Sequence, residues 1–484
     1  MTVLKPDTRK NPLFTKISLL YLFSILIIIT VNYNSVFGFY FRYDTFVWLD
    51  KTIFDPVNLH YFFNYNKASP YFMPLANAIF LLCYKVFKLE PAPYHITIML
   101  THIINVLLVY YVAKRLTHNA IAAFTASILF GISPATAEPA VYIAAFHHAL
   151  ATSFIMIAFL FFIRFQESAK PRCYLLSLLF YLLALLTKQI AITTPILLLA
   201  YEYLQTRKPI PKKALLKYGP FIVASLIYLT SNKSIADTNY TYAPIQEKYY
   251  QIGMHIVSNY FDYLRYMALP FDAVAQATEH HLFLPLNALY SFSKNAVFIA
   301  FIVLLMAGIF KKRRLLFFFL WSTISLLPIL PFKFPVQSRY AYLPAVGFYG
   351  MVAIMLCDTP MIKKRIWRYL ILFLIIVCFM GSQAEIYRYN IDYIFWKNLT
   401  TDAKNYCGNL SVPKPAKLYL LNFPQLALSK DDEINSALRV ALLNPFLEVT
   451  ALYPCELKMI EPDSSTYFLE FRGRRLWPIK KETQ

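Results

Sequence analysis

The sequence predicts an all-helical protein that crosses a membrane many times and carries a small α+β domain at its C-terminal end. Three observations predict this class. Of the 484 residues, 58% are hydrophobic and only 15% are charged, whereas a soluble chain carries roughly 25% charge. Apolar stretches recur along the chain, each close to the ~20 residues that a membrane-spanning helix needs. Basic residues lie in short runs between alternate apolar stretches.

The apolar stretches predict about eleven membrane-spanning helices. They lie near residues 17–37, 94–113, 119–135, 143–163, 173–187, 189–205, 216–231, 291–310, 315–331, 340–357 and 366–383. Two further stretches are expected to lie at the membrane surface or to re-enter it. They are 71–88, which Pro74 interrupts, and Met254–Leu269.

The basic runs predict the orientation of the chain. Lys311–Arg314 and Lys363–Arg365 are two of these runs, and they alternate with loops that are nearly free of basic residues. Because basic loops stay in the cytoplasm, the N-terminus is expected inside and residues 384–484 outside. The net charge of +21 is therefore explained by topology, and a nucleic-acid partner is not predicted. The first apolar stretch is expected to be retained, since no small-residue cleavage site follows it.

Two domains are expected: a transmembrane domain over 1–383 and a small extracytoplasmic domain over 384–484. The second contains Cys407 and Cys455, which could pair in an oxidising compartment. The sequence leaves this open. It contains no P-loop, GxSxG or HExxH pattern and no zinc-ligand spacing, so nucleotide hydrolysis, serine hydrolysis and zinc chemistry have no support.

Two acidic residues are the first candidates for chemistry, because charges near a membrane default to functional hypotheses. Asp44 follows the first helix on the outer side and could accept the proton of an attacking hydroxyl. It could equally be a loop carboxylate paired with Arg42. Glu138 lies in the outer turn between the third and fourth helices. It could help Asp44 orient an acceptor or hold a divalent cation, or it could be a solvated acid.

Lys188 and Arg339 are candidate binding groups for a phosphate. Each lies in a short outer loop between apolar stretches. Fixed cations at that position would stabilise a phosphate leaving group, and arginine can bind it through two hydrogen bonds. The alternative is that both side chains extend towards lipid phosphates.

Several stretches resemble the GT-C superfamily of glycosyltransferases that use lipid-phosphate sugars. The likeness is greatest to the protein O-mannosyltransferase-like and the transmembrane, tetratricopeptide-repeat O-mannosyltransferase families, although the repeats are absent. The matching stretches are Tyr43-Asp44, Ser69 to Leu75, Tyr94-His95 with His102, Phe130 to Glu138, Thr187 to Thr193, Leu264 to Asp272, and Arg339 to Phe348. The chain departs from the family pattern at Met73, at Gln189, at Ser338 and at the pair His147-His148.

The resemblance implies transfer of a sugar, mannose or another hexose, from a polyprenyl-phosphate donor to a glycan, lipid or protein on the outer membrane face. Asp44 would be the base of a single inverting displacement, with Glu138 beside it. Arg339 and Lys188 would hold the donor phosphate. The acceptor or sugar would be bound by a group of five side chains, namely Tyr43, His95, His102, His147 and His148. No metal ligand is assigned, although a divalent cation stays an alternative.

Short loops and the absence of a repeat array favour a bacterial inner membrane. Two other functions stay open. A flippase or transporter of lipid-linked sugars should carry charged residues deep along a central cavity. A polysaccharide polymerase or ligase should tolerate the loss of Asp44.

Overall fold

The computed structural model describes most of the chain. The described residues are 16–57, 72–206, 215–237, 250–270, part of 295–306, 312–333, 336–357, 365–407, 415–423, 431–452 and 466–479. The α-helices that follow one another along the chain are α1 (Lys16–Asn32), α2 (Asp44–Phe54), α3 (Pro74–Phe87), α4 (Pro91–Thr117), α5 (Ala120–Ile132), α6 (Ala137–Val141), α7 (Phe146–Ser168), α8 (Pro171–Thr187), α9 (Thr194–Thr206), α10 (Gly219–Asp237), α11 (His255–Ala268), α12 (Arg313–Leu326), α13 (Ser338–Cys357), α14 (Arg365–Cys407) and α15 (Asp431–Leu442).

The described helices identify an integral membrane protein. Four stretches in them are long and apolar enough to cross a bilayer: Pro91–Thr117, Ile143–Ser168, Ser338–Cys357 and Arg368–Cys407. The pair Ala120–Ile132 and Pro134–Val141, bent by 69°, would make a fifth if it is one broken span.

The predicted number of about eleven spans is not confirmed. Three apolar helices of the described chain are shorter than a full span: Leu19–Asn32, Pro74–Phe87 and Pro171–Thr187. A bilayer core needs about 20 residues of helix. The predicted helix at 291–310 falls largely outside the described residues.

Proline and asparagine fix where several helices begin. Pro74, Pro91 and Pro171 each occupy the first turn of their helix, where the missing N–H would have had no partner. Pro74 therefore begins α3 and does not interrupt a longer helix, contrary to the prediction from the sequence. Asn119 caps α5 by accepting hydrogen bonds from the backbone N–H groups of Ile121 and Ala122 at 2.9 and 3.2 Å.

Helix α13 is the centre of the bundle, and most of its residues are buried. It packs closely against α12 at Gly347. A Cβ at that position would lie 2.5 Å from both the carbonyl oxygen of Phe318 and the backbone nitrogen of Ser322. The Trp321 indole also donates to the carbonyl of Leu343 at 3.2 Å. This close approach fixes the helix that carries Arg339.

The C-terminal part is a mixed sheet with one helix against it. Helix α14 runs for 43 residues to Cys407, past the expected boundary at residue 383, so the sheet begins only after it. The strands are β1 (Ala416–Leu421), β2 (Leu447–Leu452), β3 (Thr466–Arg472) and β4 (Arg475–Pro478), in the order β2-β1-β3-β4. The first three are parallel. Cys407 is buried with a free thiol, and Cys455 lies outside the described residues.

The sheet domain is attached to the bundle at two places. Asp402 of α14 accepts hydrogen bonds from the Arg475 guanidinium at 2.8 Å and from the backbone N–H of Leu476 at 3.0 Å. Helix α15 packs on α2, where Asp50 pairs with Arg439 at 3.2 Å. The helix that begins at Asp44 is therefore held by the C-terminal domain.

Candidate active site

Asp44 is the first residue of α2, and a sharp turn places it there. The turn residue, Tyr43, has a φ of 41° and a ψ of −128°, which is rare for a residue with a side chain and is found where function maintains strain. The Tyr43 ring packs against Trp396 of α14, with 5.3 Å between centroids. The Asp44 side chain is 41% exposed, so its carboxylate can reach a bound molecule.

Arg42 anchors the same turn but does not pair with Asp44. Its Nη1 lies 2.6 Å from a carboxylate oxygen of Asp392. Its guanidinium carbon lies 4.4 Å from the ring of Tyr142 and 4.2 Å from that of Tyr389. A buried guanidinium is stabilised by such rings and by one carboxylate. Of the two readings that the sequence left open for Asp44, a pair with Arg42 is therefore not what the structure contains.

Glu138 is buried in the bend between α5 and α6, so it is not a solvated turn acid. Its backbone N–H donates to the Ser338 hydroxyl at 3.2 Å, and that hydroxyl donates to the carbonyl of Pro134 at 3.1 Å. The Glu138 carboxylate accepts the backbone N–H of Arg339 at 3.0 Å. The bend and the start of α13 are therefore joined by a chain of hydrogen bonds.

Arg339 joins the two candidate acids. Its Nε lies 3.3 Å from a Glu138 oxygen, and its Nη1 lies 3.6 Å from an Asp44 oxygen. The Nε also donates to the amide oxygen of Gln337 at 2.9 Å. The side chain is about a quarter exposed. The Nε of Arg339 is therefore held by Glu138 and Gln337, while its Nη1 lies beside Asp44.

Lys188 lies next to this group. It connects α8 to the 3-10 helix Gln189–Thr193 and is only 6% exposed, so its side chain does not extend into lipid. Burial and, to a smaller extent, the positive charge of Arg339 lower the pKa of Lys188 to about 7, while Asp44 opposes the shift. An ammonium group with this pKa changes its charge near neutral pH.

His147 and His148 begin α7 and form part of the same wall. Their ring centroids are 4.6 Å apart. His147 stacks on Trp48 of α2 at 6.0 Å, and His148 meets the Tyr340 ring edge-on at 5.4 Å. Both are buried. The structure thus brings these two histidines to the elements that carry Asp44 and Arg339.

His95 and His102 occupy the packed interior. The His95 ring meets Phe39 at 6.2 Å and Tyr393 at 5.6 Å. His102 hydrogen-bonds with the Tyr342 hydroxyl at 2.7 Å and with the carbonyl of Gly131 at 3.0 Å. These contacts place both histidines in the packed interior of the described chain, and their part in acceptor or sugar binding stays a prediction.

The two acids share Arg339 as their counter-ion, and a divalent cation between them would have to displace that guanidinium. Among the residues that the structure describes, no group of three or more His, Cys, Asp or Glu side chains is arranged to hold a metal ion. Tyr142 and Asp392, which contact Arg42, are not among the residues predicted from the sequence. No motif marks either residue, and only their place in the fold identifies them.

The comparisons with known proteins agree with the resemblance found in the sequence. A family model described as dolichyl-phosphate-mannose-protein mannosyltransferase matches residues 69–232. This match shows a likeness to that family over about a third of the chain. The matched segment contains Glu138, the two histidines of α7 and Lys188, but not Asp44 or Arg339.

Two solved structures are similar to the whole chain. The crystal structure of ArnT from Cupriavidus metallidurans in the apo state is 12% identical, with 93% of this chain and 92% of that chain covered and a TM-score of 0.49. The structure of the same protein bound to undecaprenyl phosphate is 12% identical, with 89% and 85% covered and a TM-score of 0.48. No curated protein is similar enough in sequence to count as a match.

Proposed function

We propose that this protein transfers a hexose, mannose or a similar sugar, from a polyprenyl-phosphate donor to an acceptor on the outer face of the membrane. The observation that carries the proposal is the shared position of Arg339, which lies 3.6 Å from Asp44 and 3.3 Å from Glu138. A proton acceptor and a phosphate-binding cation are thus adjacent. The family match over residues 69–232 supports this class of chemistry.

The reaction is a single displacement at the anomeric carbon. An acceptor hydroxyl oxygen attacks that carbon from the face opposite the phosphate, and the carboxylate of Asp44 takes its proton. The bond between the anomeric carbon and the phosphate oxygen breaks, and the electron pair stays on the phosphate. The new glycosidic bond therefore has the inverted configuration.

Arg339 and Lys188 stabilise the leaving group. A polyprenyl-phosphate sugar is a phosphodiester with one negative charge, and the departing polyprenyl phosphate gains a second. Cations that are already in place stabilise that developing charge most effectively where water is excluded. Lys188 is buried beside Arg339, and a bound phosphate favours its protonated form.

Glu138 acts through Arg339. It binds both the backbone N–H and the guanidinium of that residue, so it fixes the direction in which the cation points. His147 and His148 pack against Trp48 of α2 and Tyr340 of α13, the two helices that begin at Asp44 and next to Arg339. The lipid tail of the donor enters from the bilayer, which suits an active site at the outer ends of membrane helices. We infer a bacterial inner membrane with a cytoplasmic N-terminus and an extracytoplasmic site.

The test is transfer from radiolabelled polyprenyl-phosphate sugars by purified protein in lipid nanodiscs. Asp44→Asn should abolish transfer while thermal stability and donor binding persist. Asp55→Asn is the matched control, since Asp55 caps the other end of α2 and is exposed. It should leave transfer unchanged. Full transfer by Asp44→Asn would reject the base and favour a polymerase or ligase. Movement of the donor across liposomes without any transfer by the wild type would favour a flippase.

A further inference from the structure

Tyr142 lies at the centre of the charged groups and has no assigned part in the reaction. It follows α6, and its side chain is about 2% exposed. The guanidinium of Arg42 lies 4.4 Å from its ring, and that of Arg339 lies 5.9 Å from it. A ring between two guanidinium groups is held by both. The position of the Tyr142 hydroxyl is therefore fixed before any substrate binds.

The Tyr142 hydroxyl has no hydrogen-bond partner among the residues that the structure describes. A buried hydroxyl without a partner is unfavourable, so an unpaired hydroxyl at a candidate active site points to a bound molecule. Burial and the negative charge of Asp44 raise the pKa of Tyr142 well above its ordinary value. The hydroxyl therefore stays protonated and can both donate and accept a hydrogen bond.

The C-terminal domain contributes a buried carboxylate. Glu433 lies in the first turn of α15, the helix that packs on α2. After burial, the charge of Glu433 is among the causes that raise the pKa of Tyr43 and of Tyr142. Lys188 is instead coupled to Arg339 and Asp44. On the side of α15, Arg42 and Arg439 are already paired with Asp392 and Asp50, and α15 adds the carboxylate of Glu433.

We propose that Tyr142 and Glu433 bind the acceptor, with the Tyr142 hydroxyl holding the reacting hydroxyl next to Asp44. This inference rests on the proposed glycosyl transfer. The donor phosphate occupies the side of Lys188 and Arg339, so the acceptor must approach from the other side. A carboxylate there accepts hydrogen bonds from hydroxyl or ammonium groups and repels phosphate. The acceptor class is thus neutral or positively charged where it is bound.

The experiment measures transfer from labelled polyprenyl-phosphate mannose, glucose or galactose to three hexyl glycosides: a neutral one, one with an amino group and one with a phosphate. The wild type should prefer the neutral and amino acceptors to the phosphorylated one by at least about tenfold. Tyr142→Phe keeps the ring between the arginines. It should raise the acceptor KM about five- to tenfold, as expected for one lost hydrogen bond, and leave the donor KM unchanged.

Glu433→Gln should reduce the preference for the amino over the phosphorylated acceptor about tenfold. The matched controls are Tyr110→Phe, whose hydroxyl is also buried without a partner in the described chain, and Glu448→Gln on an exposed part of β2. Neither should change the acceptor KM. If Tyr142→Phe does not fold, Glu433→Gln decides the question alone.

Three results would overturn the inference. The first is a preference of the wild type for the phosphorylated acceptor. The second is a changed donor KM with an unchanged acceptor KM in Tyr142→Phe. The third is an equal increase of the acceptor KM in Tyr142→Phe and in Tyr110→Phe. Wild-type protein that transfers none of the sugars to any acceptor would instead count against the proposed function. The two failures are therefore distinguishable.

Discussion

Replacing Glu138 by glutamine should slow sugar transfer strongly and have a smaller effect on folding. Glu138 accepts the backbone N–H of Arg339 at 3.0 Å and lies 3.3 Å from its Nε. Glutamine keeps one oxygen for the backbone N–H, but it has no charge and presents an amide NH₂ to the guanidinium. Arg339 then keeps Asp44 at 3.6 Å as its charged partner. The guanidinium should turn towards Asp44 and away from the donor phosphate.

The size of the effect follows from these contacts. Removing one member of a buried ion pair costs about 3–5 kcal/mol when the other charge is left alone. Because Arg339 keeps a second carboxylate and is partly exposed, we expect about 2 kcal/mol of stability to be lost. Misplacing a group that stabilises the transition state by about 1 Å lowers the rate about 10²-fold. The kcat of Glu138→Gln should therefore fall roughly a hundredfold, with a smaller change in donor KM.

The assay is the initial rate of transfer in nanodiscs, together with thermal unfolding of the same preparation. Glu167→Gln is the control. Glu167 also pairs with an arginine, Arg115, but both side chains are more than two-fifths exposed, and exposed pairs contribute little. Its kcat should equal that of the wild type. A Glu138→Gln protein with wild-type kcat would refute the view that Glu138 orients Arg339.

Three further predictions concern pH, the Arg42 site and helix packing. Because the pKa of Lys188 is lowered to about 7, its positive charge is lost as the pH rises through neutrality. The donor KM measured from about pH 6 to 9 should therefore increase, and Lys188→Arg should flatten that increase because arginine stays charged. A donor KM that rises equally in the arginine variant would contradict this. Arg42→Lys loses the contacts of the guanidinium with Tyr142 and Tyr389. The free energy of unfolding should fall by about 1–2 kcal/mol, and sugar transfer should be slower. If neither stability nor transfer changed, the ring contacts would have no role. Gly347→Ala would place a Cβ 2.5 Å from backbone atoms of α12. It should lower the free energy of unfolding by about 1–3 kcal/mol in the same assay. An unaltered melting temperature would mean that the two helices can move apart at little cost.

Much of the site could be predicted from the sequence because charges near a membrane are rare and each has a cause. Asp44, Glu138, Lys188 and Arg339 stand apart from one another in the chain. The alternating basic loops predict that all four lie on the same side of the membrane. The structure then brings Arg339 within 3.6 Å of Asp44. The roles of the four residues remain predictions, whereas their proximity is observed.

The rest could not be predicted because it depends on contacts between distant elements. Arg42 lies two residues before Asp44, so the sequence favours a local ion pair as readily as a free carboxylate. Its partner is Asp392, 350 residues further along the chain. The histidines of α4 resemble a family motif, but helical periodicity does not tell a ligand-facing side from a packed one. His102 faces Tyr342 and Gly131.

The contacts around α2 connect the C-terminal domain to the helix that begins at Asp44. Arg42, just before α2, is bound to α14 through Asp392, and Asp50 within α2 is bound to Arg439 of α15. Helix α14 also carries Asp402, which holds the last strand through Arg475. Since the helix that begins at Asp44 is fixed by the same domain that supplies Glu433, any displacement of that domain would move both the proposed base and the proposed acceptor-binding carboxylate relative to Arg339. In the proposed mechanism, the C-terminal domain would therefore both hold α2 in place and contribute to acceptor binding.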